Sequence, residues 1–237
     1  MIALLAEPGS LVEGASILLS EAEAHHLLVR RAEDGEEVVL LDGQGSSAEG
    51  VLADARHAAR VEVTGVRQAA RPAPALLAVA AGDRDRFAWL VEKAAELGVS
   101  DIVPLETERT AGVASRLRGN QLDRLRRLAR ETLKQCRSAW APRVHDPVPL
   151  EAFVGRAPAG LRWLADREGA APPPALAADA VSVVIGPEGG LTGEETAVLH
   201  SAGFMPVSFG PHILRFETAA IAAACIIGSA RLRSAHA

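Results

Sequence analysis

The chain has 237 residues, 49% of them hydrophobic and 23% charged, with a formal net charge of −5. So much apolar material with so modest a charge excludes a chain too polar to fold, and the length suits one large domain or two smaller ones. Two isolated cysteines, Cys136 and Cys225, make neither a disulfide framework nor a zinc cluster, so no metal is expected.

The first nineteen residues hold no Lys or Arg, so no basic n-region of a signal peptide is visible there. Residues 1–70 carry five Arg and twelve Asp or Glu, a net of −7. Short apolar runs alternate here with turn residues. Glu36–Leu41 reads as a strand ending at Asp42-Gly43-Gln44-Gly45, and Gly50–Leu52 and Ala59–Val63 read as further strands. A small β-barrel-like domain over 1–68 suits that pattern. Residues 69–74, with Pro72 and Pro74, read as a linker.

From Ala75 onward strands and helices alternate. Leu76–Ala81 reads as a buried strand. Phe87, Leu90, Val91, Ala94 and Leu97 then recur at helical spacing, and Gly98 stands where a C-cap belongs. Ile102–Leu105 is the next strand. Asn120 can cap a helix running through Leu122, Leu125, Leu133 and Cys136. Further strands are expected at Leu161–Ala165, Val181–Ile185 and Met205–Phe209, with helices over about Gly193–Ala202 and Phe216–Arg231. The alternation predicts an α/β domain over 75–237 with a mostly parallel sheet covered on both faces. The apolar stretch Thr218–Ala230 is too short to span a bilayer, so a cytoplasmic protein without a membrane partner is expected.

The whole-chain charge averages over two regions of opposite sign. Residues 116–143 hold eight Arg, one Lys and two acids, a net of +7. A concentrated basic segment in an acidic protein is the footprint of a polyanion site; a solvated helical face is the other reading. Three Trp, five Phe and no Tyr offer little stacking platform for a single strand.

In an open α/β sheet ligands bind beyond the carboxyl ends of the strands. One such end is Ile185-Gly186-Pro187-Glu188-Gly189-Gly190-Leu191, after which Thr192 and Glu195 have capping-box spacing. Its glycines permit close backbone approach to a ligand, or simply a structural turn. The loop is neither GxGxxG nor GxxxxGK[ST]. Glu188, Glu194 and Glu195 would repel a pyrophosphate, whereas a cofactor with an adenosine end and a positive centre, such as S-adenosylmethionine (SAM), suits the loop. The second strand end runs from Phe209 to Ala220. It sets Arg215 and Glu217 near one another, either as a pair locking the last helix or as reactive groups; His212 reads as a loop histidine.

Ile185-Gly-Pro-Glu-Gly-Gly190 and Ile213-Leu-Arg-Phe-Glu-Thr-Ala219 together resemble the signature of the RsmE family, SPOUT-superfamily methyltransferases of uridine N3 in 16S ribosomal RNA. Lys93-Ala-Ala-Glu-Leu-Gly-Val99, Glu106-Thr-Glu-Arg-Thr110 and Gln135-Cys-Arg137 with Pro142 are similar to further family elements. So are His25/His26, Val29-Arg30, Gly35 and Asp42-Gly-Gln-Gly45. The chain departs from the pattern at Ala81, where relatives usually carry Lys, and at Phe216.

The resemblance implies a PUA-like β-barrel RNA-binding domain followed by a SPOUT domain with a C-terminal trefoil knot, acting as a homodimer. It places SAM among Leu164, Ala165, Ile185, Gly186, Pro187, Glu188, Gly189, Gly190, Phe209, Gly210, Ile213 and Leu214. It implies methyl transfer to a uridine N3, with Arg215 stabilising the imide charge and Glu217 orienting it or assisting proton removal. Arg30, Arg31, Arg109, Arg124, Arg127, Arg130 and Arg137 would then hold 16S rRNA in the assembled small subunit. A SPOUT enzyme acting on another RNA, or a non-catalytic rRNA-binding assembly factor, stay open as alternatives.

Overall fold

The computed structural model describes residues 1–55, 58–80, 82–110, 117–176 and 180–235. Ala81, and Arg116 of the basic segment, lie outside the described residues. Contacts divide the chain into two compact units. The first is Met1–Arg71 with Arg130–Ala141, and the second is Pro72–Ala129 with Pro142–Ala237.

The first unit is built on a five-stranded sheet among the described residues. Its strands are β1 (Ile2–Leu5), β2 (Ser16–Leu18), β3 (Glu37–Leu41), β4 (Ser46–Asp54) and β5 (Arg60–Gln68), in the order β1-β3-β4-β5-β2. β1 runs parallel to β3 and the other pairs are antiparallel. Strand alternation turns Val38 and Leu40 inward to join Leu4, Leu27, Leu52 and Val61 in one core. The β4–β5 register shifts between Glu49 and Gly50, where a Cβ on Gly50 would lie 2.7 Å from the Glu62 carbonyl oxygen. Only glycine fits that bulge. Helix α1 (Glu21–Arg30), which hydrophobic periodicity did not bring out, starts at Ser20, whose hydroxyl accepts from Glu23 N. It ends on Arg31 in the left-handed region, at φ 55°.

Residues 130–141 return to this unit. Arg130 donates to the Ala6 carbonyl at 3.0 Å and Arg137 to the Met1 carbonyl at 2.8 Å. Lys134 Nζ lies 2.9 Å from Glu23, which is buried. Burial by itself pushes the Lys134 ammonium down, but hydrogen bonds to Glu131 and Glu23 more than offset it and hold its pKa above the ordinary value. The Trp140 ring covers Gly45, where φ is +103° and a Cβ would meet the ring at 2.4 Å. The helix expected to run from Asn120 through Cys136 is broken. α3 spans Asn120–Glu131 and a single turn, α4, spans Leu133–Cys136, closed by Arg137 at φ 58°. The apolar stripe continues across the break because both pieces are anchored by buried leucines.

The second unit carries β6 (Ala75–Ala80), β7 (Asp101–Glu106), β8 (Arg143–Val144), β9 (Val148–Pro149), β10 (Leu161–Ala170), β11 (Val181–Ile185) and β12 (Met205–Val207). The order is β12-β10-β11-β6-β7-β8 with β9 also against β7, and every pairing is parallel. Both faces are covered, as the continuous apolar runs predict. Ala75, Leu77 and Val79 point to one face with Phe87 and Leu90 of α2 (Arg84–Glu96) and Ala220 and Ile227 of α7 (Phe216–Ala235). Leu76, Ala78 and Ala80 point to the other, with Phe153 of α5 (Leu150–Val154) and Leu199 of α6 (Gly193–Ser201). Burying each such Leu or Phe contributes about 1.5–3 kcal/mol. Among the described residues no helix is long and apolar enough to cross a membrane.

Candidate active site

The carboxyl ends of β10, β11 and β12 surround a cavity of about 360 Å³, within the range usual for small-molecule sites. After β11 the chain turns at Pro187, whose carbonyl accepts from Gly190 N at 2.8 Å. Gly190 holds φ +73°, which favours glycine. Helix α6 then starts with a complete capping box on Thr192 and Glu195. Glu195 is buried and does more than cap. One carboxylate oxygen accepts from Thr192 N and the other from Glu108 N, each at 2.8 Å. The Arg109 guanidinium donates to the Gly189 carbonyl and, at 3.3 Å, to that of Gly190. The loop after β7 thus braces the glycine loop after β11. After β12, Ser208 Oγ donates to the Gly210 carbonyl at 3.0 Å, and Phe209 packs on Trp163 with ring centroids 6.1 Å apart.

The cavity brings together Leu164, Ala165, Ile185, Gly186, Pro187, Glu188, Gly190, Phe209, Gly210, Ile213 and Leu214, all expected from the sequence. Gly189 faces a neighbouring cavity instead. Leu191, His212, Phe216 and Ala219, which stand in the segments singled out from the sequence, line it too, and Asp166, Arg167, Thr196 and Ser208 also line it and were missed. Asp166 and Arg167 extend the strand end already singled out, so walking two residues further would have found them. His212, read as a loop histidine, faces the cavity.

Arg215 and Glu217 do not line it. Arg215 is exposed, and its carbonyl accepts from Ala219 N in the first turn of α7. Glu217 is buried, and the cation beside it is Arg86, at 3.9 Å, rather than Arg215. Arg86 also lies 3.1 Å from Glu188. Sequence spacing carried no signal for Arg86.

Of the expected RNA contacts, Arg30 and Arg31 are exposed in the first unit, and Arg124 and Arg127 are exposed on α3 in the second. Arg109, Arg130 and Arg137 are instead engaged with backbone carbonyls inside their own units.

Two family models match the chain: an RNA methyltransferase domain over residues 69–228 and an RNA methyltransferase PUA domain over 19–64. Ribosomal RNA small subunit methyltransferase E of Synechocystis sp. is 32% identical over 227 residues, covering 91% of this chain and 73% of that protein. The protein of the same name from Aquifex aeolicus is 29% identical, covering 90% of this chain and 94% of its own. The crystal structure of ribosomal RNA small subunit methyltransferase E from Neisseria gonorrhoeae, bound to S-adenosyl methionine, superposes with a TM-score of 0.83 at 26% identity. It covers 94% of this chain and 95% of its own. The chain therefore belongs to the RsmE family of SPOUT-superfamily RNA methyltransferases, with a PUA-like unit ahead of an α/β methyltransferase unit.

Proposed function

We propose that this protein is an SAM-dependent methyltransferase that modifies a uridine N3 in 16S rRNA of the small ribosomal subunit. The observation that carries this is the cavity beyond three parallel strand ends, built from the glycine loop 186–190 and segment 208–214. Its residues suit the cofactor. A Cβ on Gly186 would come within 3.1 Å of Leu191, so glycine there lets the loop close on the Leu191 side chain at the cavity edge. Leu164, Ile185 and Leu214 offer apolar walls for an adenine, while Glu188 and Asp166 offer carboxylates to a cationic centre. Bound SAM supplies an electrophilic methyl group on a sulfonium.

A neutral uridine N3 carries a proton. As the N–CH3 bond forms and the S–CH3 bond breaks, that proton must leave, and the imide charge that develops needs a cation. Arg215, exposed next to the cavity residue Leu214, is assigned that charge stabilisation. Glu217, 3.9 Å from Arg86, is assigned the role of orienting Arg215 or of assisting proton removal. Arg30, Arg31, Arg124 and Arg127 give RNA phosphates their contacts, and Arg109, Arg130 and Arg137 act through the backbone they hold.

The remaining parts of the reading are a trefoil knot, a barrel-shaped PUA-like unit, a homodimer and a cytoplasmic location. The knot is supported by connectivity. β12 lies outside β10 at the sheet edge, yet after residues 208–215 helix α7 packs on α2, β6 and β11, so the chain recrosses the end of β10. The homodimer follows from the family resemblance, and Ile213, 80% exposed beside the cavity, is one apolar side chain such an interface would cover. The test is transfer of a labelled methyl group from SAM to small subunits lacking the modification, followed by mass mapping of the labelled nucleotide. Label at a uridine N3 is expected. SAM binding without any RNA labelling overturns the catalytic reading in favour of an assembly factor.

A further inference from the structure

Two stretches of chain close on the cavity, the glycine loop 186–190 after β11 and segment 208–214 leading into α7. One side chain from a third element reaches both of these regions. The Arg86 guanidinium of α2 lies 3.1 Å from Glu188 in the glycine loop and 3.9 Å from Glu217 in the first turn of α7. Among the described residues neither carboxylate has a second ion-pair partner. The backbone aims Arg86 there. Asp83 starts α2, its carboxylate accepting from Asp85 N and Arg86 N at 3.0 Å each. Gly82, one residue earlier, is seated on the Phe216 ring that opens α7, and a Cβ there would meet Phe216 Cε1 at 2.7 Å. The start of α2 is thereby packed on the start of α7, and Arg86, within the first turn of α2, comes to bear on Glu217.

Two carboxylates share this one guanidinium, and they depend on it unequally. Glu188, 60% exposed at its side chain, keeps much of its hydration, whereas Glu217 is 9% exposed with one oxygen buried and without a hydrogen bond. A buried carboxylate of that kind takes its place from the cation beside it. We propose that Arg86 is a positioning residue for methyl transfer: by holding Glu188 and Glu217 at once, it fixes the cavity wall relative to the first turn of α7. The inference rests on the methyltransferase reading above, in which Glu188 faces the donor's positive centre and Glu217 serves Arg215 or the departing proton. Arg86 does not line the cavity, so it acts through the two carboxylates and not on the reacting atoms. Its effect therefore falls on alignment. Misplacing a reacting group by about 1 Å costs on the order of a hundredfold in rate. The apolar walls Leu164, Ile185 and Leu214, which suit the cofactor, do not depend on Arg86.

The test uses the full-length protein with SAM and small subunits lacking the modification, with rates normalised to the SAM sites each preparation binds. Arg86→Gln is expected to lower kcat about tenfold to a hundredfold, with KM for small subunits and Kd for SAM within about threefold of wild type. Arg86→Lys, which keeps the charge without the planar fork, is expected to regain part of that kcat. Arg84→Gln, which removes an exposed cation two residues away, is expected to leave kcat unchanged. An unchanged normalised kcat in Arg86→Gln overturns the proposal, because Arg86 would then only hold the fold. So does a change confined to KM, which would make Arg86 an RNA contact, and so does a weakened Kd for SAM, which would make it part of cofactor binding. Equal losses of kcat in the Arg84 and Arg86 variants also overturn it, in favour of a general effect of positive charge. Failure of the wild-type protein to bind SAM or label RNA would instead overturn the methyltransferase reading itself.

Discussion

Arg86 reaches across 102 residues of sequence to place its guanidinium 3.1 Å from Glu188, at the wall of the cavity beyond β10, β11 and β12. The same nitrogen lies 3.9 Å from Glu217, a carboxylate with one oxygen buried and without a hydrogen-bond partner. Glu188 is well exposed, so its pairing contributes little stability and mainly fixes position. Glu217 is only 9% exposed at its side chain and depends more on the cation. Arg86→Ala is expected to destabilise by about 1–3 kcal/mol, read as a lower urea midpoint at unchanged m-value. Adding Glu217→Gln is expected to recover most of the loss, because no buried charge is then left unpaired. A double variant as unstable as the single one counts against the pairing.

Glu195 ties two loops together, so its removal is expected to do more than fray a helix. Thr192→Ala removes one capping bond and is expected to cost about 1 kcal/mol. Glu195→Ala leaves both Thr192 N and Glu108 N without an acceptor and is expected to cost about 2–4 kcal/mol. It is also expected to weaken SAM binding, because the Arg109 loop would no longer brace the glycine loop. Denaturation and calorimetric titration check the ranking, and equal effects from the two variants would contradict it.

The arginines of the basic segment divide into two kinds that stability and binding measurements separate. Arg124→Glu with Arg127→Glu is expected to keep unfolding free energy within about 0.5 kcal/mol. The pair is expected to weaken small-subunit binding and to make the slope of log affinity against log salt shallower by about two. Arg137→Ala is expected to behave oppositely, losing about 1 kcal/mol with the Met1 contact and keeping the salt slope. Unaltered binding in the Arg124/Arg127 variant would leave α3 a solvated face.

His145 Nε2 lies 2.7 Å from Asp101 Oδ1. Burial pushes the Asp101 carboxyl up, but hydrogen bonds from His145 and Ser100 outweigh it and hold its pKa below the ordinary 3.8. A carboxyl depressed in the folded state stabilises the fold above its unfolded pKa, and that contribution is lost as pH falls through the folded value. The stability gap between wild type and Asp101→Asn is therefore expected to be larger at pH 6 than at about pH 3. Urea midpoints at both pH values measure it, and a gap that does not shrink in acid would count against the depressed carboxyl.

Much of the second unit was legible because its signals are local. The capping box at Thr192 and Glu195 marked the start of α6, Gly98 stands just past α2, and the run Val181–Ile185 is β11. The cavity lining followed from the strand-end rule together with the family resemblance. What stayed hidden was set by contacts distant in sequence. No periodicity links Arg86 to Glu188 and Glu217. The arginines at 130 and 137 resemble their neighbours at 124 and 127 until the carbonyls of Ala6 and Met1 come within reach. Helix α1 escaped because its apolar residues form no helical stripe and only Glu23 and Leu27 are buried.

The return of residues 130–141 to the first unit sets an order of events during synthesis. A ribosome that has released only the first 71 residues has delivered the five strands but not Lys134 for the buried Glu23, nor Trp140 to cover Gly45. The N-terminal unit therefore reaches its final packing only after β6, α2, β7 and α3 of the second unit have emerged. A fragment cut at the linker is expected to lack that packing, and supplying residues 130–141 in trans is the means to restore it.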